Sequence, residues 1–374
     1  MKVLIAAGGT AGHINPALAM ASAIQAHRPD AEIHFAGRKK GMEYGLVTKA
    51  GYAFHPIEVN GIQRRLTPKN IARNVAALYH LALSAPRANA ILKEVQPDLV
   101  IGAGGYVSGP VVQAAARKKI LTAIHEQNAF PGVTNKILAK IVDIVFAAMP
   151  DAVERLGAPD KTVVVGNPVR AEIYAQDRAQ ARRSLGLADG RIMLLSFGGS
   201  LGAQRVNEVV AQLAQWELKN RDFYHIHATG SIEKEDFAKL SAQKKIDQDP
   251  RFVIREYIDD MPRLLAAADL VISRAGALTL AEIAAMGRAS VLIPSPNVAE
   301  NHQFHNAMQL QKLGAAVVVE EKELTGEKLI DIVDGLTQHP ETLMEMGVKA
   351  KALSQPDSLE KIWKTLEPHL KNVK

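Results

Sequence analysis

Apolar runs of strand length recur along the chain. Each ends in glycines or small polar residues, and a stretch with helical spacing follows. "KVLIA" (2–6) leads into "AGGTAGHINPALAMASAI", and "DLVIGAGGYVSGPVVQAAARK" begins at Asp98. "IMLLSFGGSLGAQRVNEVVAQL" begins at Ile192 and "DLVISRAGALTLAEIAAMG" at Asp269. Continuous apolar runs between helices mark buried parallel strands, because a strand covered on both faces has no wet side. "AEIHFAG", "LTAIHE", "DIVFAA", "KTVVVG", "FYHIHATG", "FVIREYI", "ASVLIP" and "AAVVVE" read as further strands. These are too many for one compact sheet. A turn at Asn167-Pro168 and a helical segment over 171–186 separate two sets. The pattern predicts an α/β protein of two doubly wound parallel-sheet domains, 1–166 and 167–345. A C-terminal helical segment, 346–374, is expected to pack back on the N-terminal domain. The 374 residues suit two domains of ~150 residues each.

Composition narrows the chemistry. Hydrophobic residues make up 47% and charged residues 22%, ordinary for a globular chain. The absence of cysteine removes disulfides, thiolate catalysis and cysteine zinc sites. The first apolar run is too short for a signal peptide. Residues 3–27 and 99–116 lack Asp, Glu, Lys and Arg, but glycine and proline interrupt both, so neither is a span of roughly 20 apolar residues. The net charge of +6 is uneven, with 19 Lys and Arg against 11 Asp and Glu in residues 1–165. A basic first half suits a phosphorylated substrate or an anionic membrane. Nucleic acid fits less well, given 5% aromatic residues and no recognised stacking or helix-turn-helix motif. In "IARNVAALYHLALSAPR" (71–87), Val75, Leu78, Tyr79 and Ala82 share one helical face, and Arg64, Arg65, Lys69 and Arg73 lie nearby. That face would meet either lipid head groups or the core.

The glycine turns carry the candidate chemistry. Ligands of an open parallel sheet bind beyond the carboxyl ends of its strands. Glycine there admits a ligand to the backbone, and the following helix offers N–H groups and a positive dipole end. A diphosphate suits such a site without a metal. None of the four turns is G-x-G-x-x-G or a Walker A loop. His13, at the mouth of the first strand, is either a helix-entry histidine or a base for a hydroxyl. Glu282, about one turn into its helix, either accepts from a ribose diol or answers the helix dipole. "GGSLG" (198–202) matches the G-x-S-x-G hydrolase elbow. An esterase would use Ser200 with His302 or His305, yet the equivalent turn "GGTAGH" has no serine. "DQD" (247–249) reads as a solvated loop. "IDD" (258–260) reads as a strand end, with Asp259 or Asp260 capping a helix.

"GGTAGH", "GAGGYVSGP", "HEQNAFPGVTNK", "VGNPVR", "GGSLGA", "YIDDM" and "GALTLAEI" occur in the order of one family. Over nearly the whole chain the sequence closely resembles the MurG-type glycosyltransferases. The resemblance implies the GT-B fold, two Rossmann-like domains facing across a cleft. It implies transfer of N-acetylglucosamine from UDP-GlcNAc to the C4 hydroxyl of the muramyl residue of lipid I (undecaprenyl-pyrophosphoryl-MurNAc-pentapeptide), with inversion, giving lipid II for peptidoglycan. Glu282 would hold the ribose, Ile258 the uracil through its backbone, and Ser200 with Ala277, Leu278 and Thr279 the diphosphate, while Leu280 and Ala281 would also bind the donor. Arg170, Gln303, Thr10, Ala11, Gly12 and Asn128 would contact the donor. His13 would be the base, with Glu126 as an alternative or an orienting partner. Gly104, Gly105 and Tyr106 would meet the acceptor diphosphate. Ala11 stands where many members have glycine, which restricts positive φ. No metal or other cofactor is expected, and the enzyme would lie peripherally on the anionic cytoplasmic leaflet. The competing readings are another UDP-sugar enzyme of this architecture, such as a UDP-GlcNAc 2-epimerase, and a non-catalytic nucleotide-sugar sensor.

Overall fold

The computed structural model describes residues 1–59 and 84–370. The stripe of Val75, Leu78, Tyr79 and Ala82, with Arg64, Arg65, Lys69 and Arg73, lies outside the described residues. The chain forms two compact units, Met1–Arg170 with Asp357–Lys374, and Ala171–Pro356.

Among the described residues the first unit holds seven strands: β1 (Lys2–Ala6), β2 (Glu32–Gly37), β3 (Ala53–Pro56), β4 (Leu99–Gly102), β5 (Leu121–Glu126), β6 (Ile144–Ala147) and β7 (Thr162–Val164). They lie in the order β3-β2-β1-β4-β5-β6-β7, every pair parallel. The second unit repeats the plan with β8 (Met193–Phe197), β9 (Tyr224–Ala228), β10 (Phe252–Arg255), β11 (Leu270–Ser273), β12 (Ala289–Leu292) and β13 (Ala316–Val318), in the order β10-β9-β8-β11-β12-β13. Each order reverses once, between β1 and β4 and between β8 and β11. Those reversals open the crevices that ligands use in doubly wound sheets. Ala6 pairs with Gly102 and Phe197 with Ser273, so the four glycine turns leave their sheets in two pairs, each beside a reversal.

Burial explains the unbroken apolar runs. Along β1, Val3 and Ile5 pack into one core while Leu4 and Ala6 pack into another on the opposite face. All twelve strands expected from the runs are present. The unexpected one is β3, "AFHP", a partly exposed edge strand ended by Pro56, which has no apolar run to announce it.

Two expectations are corrected. Residues 171–186 are not one helix but two, Ala171–Tyr174 and Arg178–Ser184, because Asp177 caps the second by accepting from Gln180 N at 2.7 Å. The C-terminal return begins at Asp357, not 346, since helix Pro340–Lys351 belongs to the second unit. Helix Ser358–Leu370 then places Ile362, Trp363, Leu366 and Leu370 in the first core, and Trp363 stacks on His27 with centroids 4.8 Å apart.

Candidate active site

In the first unit, the turns after β1 and β4 touch. Gly105 has φ +80°, and a Cβ there would overlap the Gly8 carbonyl. Ser108 ties the turns from beneath: its Oγ donates to Ala6 O at 2.8 Å and accepts from Gly104 N at 3.1 Å. Thr10 precedes helix Ala11–His27 without a side-chain cap, and no acidic residue occupies the first turn. Ala11 takes a helical position outside the left-handed region, so its methyl imposes no backbone strain, contrary to the expected restriction. His13 lies in that first turn, half-buried against Gly104. Its Nδ1 lies 3.2 Å from Gln127 Oε1. Tyr106 is exposed beside Gly104 and Gly105.

Glu126 ends β5 and is buried. Its Oε1 accepts from Asn128 N (2.9 Å) and Asn128 Nδ2 (3.0 Å), and its Oε2 from Gly132 N (3.1 Å) and Asn135 Nδ2 (2.9 Å). Burial pushes its pKa up, and these donors oppose the shift. The carboxylate therefore holds the 128–132 loop. His125 donates Nε2–H to Gly166 O at 3.1 Å, and burial lowers its pKa to about 4. Arg170, partly buried, is the last residue of this stretch of the first unit.

The second unit repeats the design. Gly202 (φ +92°) and Gly230 (φ +81°) press the Ser200 turn against the end of β9, where a Cβ on Gly230 would overlap the Gly202 backbone. Ser200 is partly exposed. Helices Gln204–Asn220 and Ala277–Met286 also begin without side-chain caps or first-turn acids. Ala277, Leu278 and Thr279 occupy that open first turn. Leu280 instead buries its side chain and donates its N–H to Gly276 O, so it offers a ligand neither group, and Ala281 follows it deeper in the helix. Glu282 is buried in the same helix. Ile258 is buried just past the end of β10. Gln303 accepts from Ser295 N at 2.9 Å through Oε1, which leaves its amide nitrogen as donor.

The serine that meets histidine in this unit is Ser196, not Ser200. Ser196 Oγ lies 2.7 Å from both His225 Nε2 and His227 Nδ1, and His225 Nδ1 lies 2.8 Å from Glu217. All four residues are buried among core side chains, so this Ser-His-Glu arrangement has no access for an ester. Asp249 accepts from Arg251 N and Nε at 2.9 and 3.0 Å, an ion pair within a loop. Asp260 sits at an N-cap but makes no cap bond; its carboxylate pairs with Arg255 and Arg263. Sequence reasoning missed Ser108 and Gln127. Both act through local geometry that residue type does not advertise.

Residues 3–147 match the Glycosyltransferase family 28 N-terminal domain and 193–362 the Glycosyltransferase family 28 C-terminal domain. A relative from Acetivibrio thermocellus, named UDP-N-acetylglucosamine--N-acetylmuramyl-(pentapeptide) pyrophosphoryl-undecaprenol N-acetylglucosamine transferase, is 42% identical over 372 residues, covering 100% of this chain and 99% of its own. The crystal structure of Acinetobacter baumannii MurG superposes with a TM-score of 0.73 at 29% identity, covering 98% of this chain and 99% of that one. UDP-GlcNAc 2-epimerase from Neisseria meningitidis, bound to UDP-GlcNAc, reaches a TM-score of 0.68 at 14% identity, covering 98% of this chain and 100% of that one, a likeness of fold alone. The architecture is therefore GT-B, and the chain belongs to the MurG-type family of N-acetylglucosamine transferases.

Proposed function

We propose that this chain transfers N-acetylglucosamine from UDP-GlcNAc to the muramyl C4 hydroxyl of lipid I, giving lipid II and UDP. One observation carries the reading. All four helices that follow the paired glycine turns begin with no side-chain cap and no acidic residue in the first turn. Helices Val133–Ala139, Met261–Ala267 and His302–Lys312 also start this way, so what sets the four apart is that each follows a glycine turn beside a sheet reversal. Open N–H groups at a positive dipole end suit a diphosphate, and the reaction has two, one on the donor and one on the acceptor.

The second-unit turns, with Ser200 and Ala277–Thr279, hold the donor diphosphate. Glu282 takes the ribose, the Ile258 backbone the uracil, and Gln303 and Arg170 the sugar side of the donor. The first-unit turns, with Gly104, Gly105 and Tyr106, take the acceptor diphosphate. Thr10, Ala11, Gly12 and Asn128 meet the donor sugar. His13 removes the C4 proton as the oxygen attacks C1, and the UDP diphosphate leaves with the bonding pair. Helix termini stabilise that charge, so transfer proceeds without a metal.

The protein lies on the anionic cytoplasmic leaflet. Exposed Val133, Ile137 and Ile141 (64%, 56% and 44% exposed), with Lys136 and Lys140 between them, support contact with a charged apolar interface. Among the described residues no helix is long and apolar enough to cross a membrane.

The 2-epimerase reading is tested with UDP-GlcNAc alone. An epimerase accumulates the 2-epimer of the donor. The proposed enzyme leaves the donor intact until a lipid I analogue is added.

A further inference from the structure

We propose that Gln127 is a positioning residue that fixes the tautomer of His13 and holds its ring without adding charge. This rests on the reading of His13 as the base. The Ala103 carbonyl can only accept, so the Gln127 NH2 must face it, at 2.7 Å. The carboxamide oxygen is thereby turned toward His13 Nδ1, at 3.2 Å. That oxygen also can only accept, so Nδ1 carries the hydrogen and Nε2 holds the lone pair of the neutral ring. The orientation is locked. Gln127 is buried, and its main-chain carbonyl accepts from Asn167 Nδ2 at 3.1 Å. Gly104 closes one side of the ring, where any Cβ would overlap it.

The choice of an amide has a chemical consequence. A histidine that donates Nδ1–H to a carboxylate becomes more basic and is protonated at higher pH. An amide gives the same orientation and leaves the ring neutral to lower pH, ready to accept the C4 proton on Nε2. Among the described residues, four titratable groups lie on the surrounding elements. His125 is itself held neutral by burial, Glu126 is turned into the 128–132 loop, Tyr106 is exposed, and Glu43 lies behind Gly8.

The test combines ¹⁵N NMR of histidine-labelled protein with steady-state kinetics for the parent, Gln127→Leu and Gln127→Glu. A His13→Gln variant assigns the signal, and thermal melts confirm folding. The parent should show the Nδ1–H tautomer. Gln127→Leu should shift His13 toward Nε2–H and lower kcat about tenfold or more, with KM for UDP-GlcNAc little changed. Gln127→Glu, which gives up the donor to the Ala103 carbonyl, should recover the Nδ1–H tautomer but only part of kcat, with the acid limb of kcat/KM moved up by about 1 pH unit. An Nε2–H tautomer in the parent overturns the proposal. So does a folded Gln127→Leu protein with tautomer and kcat unchanged. If the NMR pairing holds while His13→Gln keeps full turnover, the pairing stands and the assignment of the base fails.

Discussion

Glu126 shows how a buried carboxylate can serve structure. Its two oxygens take four donors, two of them backbone N–H groups. Gln in its place turns an NH2 toward two of those donors, and each buried donor left unmet costs about 1–3 kcal/mol. Glu126→Gln is therefore expected to lower the melting temperature and to raise KM for the donor as the Asn128 loop loosens. A base lost without structural change would lower kcat and leave the melt untouched. At this scale the sequence was partly legible. His13 and Glu282 sit at fixed places after apolar runs, so their positions at helix starts could be read from the sequence. Gln127 was not legible, because its partner is 114 residues away and an amide in a turn has many ordinary uses. Neither was the spent N–H of Leu280, which donates to Gly276 O within the helix.

At the scale of elements, positive-φ glycines bring neighbouring turns into backbone contact. Gly230 presses β9's end onto the Ser200 turn, and both its φ of +81° and the missing Cβ are needed. Gly230→Ala adds about 1–2 kcal/mol of backbone cost and pushes the two turns apart. Titration calorimetry should show UDP binding weakened at least tenfold in a variant that remains folded. Unchanged affinity would mean the turn does not hold the diphosphate. Strand positions could be read from the apolar runs because burial on both faces leaves a continuous signal. The edge strand β3 escaped for the converse reason: its residues are half-exposed and end in proline. The break at 175–177 also escaped, since a capping aspartate inside a helical pattern looks like an ordinary polar position.

At the scale of the molecule, the chain leaves its first unit at Arg170 and returns at Asp357. Removing 357–374 would strip Ile362, Trp363, Leu366 and Leu370 from the first core. At about 1.5–3 kcal/mol per large buried side chain, that loss rivals the stability of a typical domain. The truncated protein is expected to lose the cooperative melt of its first unit. Each unit also buries a neutral histidine, His125 with a pKa of about 4 and His227 with a pKa of about 3, both lowered first by desolvation. Unfolding returns these groups to ordinary values near 6.5. Their neutral burial is fully tolerated above that pH. As pH falls from about 6.5 toward 4, the unfolded chain binds protons that the folded one refuses, and stability is lost. Urea midpoints should fall over that window by the equivalent of ~3 kcal/mol for His125 alone. His227→Leu should flatten the fall in the second unit.

The reaction itself gives the most direct test. The protein is incubated with UDP-GlcNAc labelled in the sugar, a lipid I analogue and EDTA, and both UDP and labelled lipid are counted. The account predicts equal amounts of UDP and labelled lipid II, with neither formed when the acceptor is omitted. UDP released without labelled lipid, or no turnover by protein that binds the donor, would contradict it.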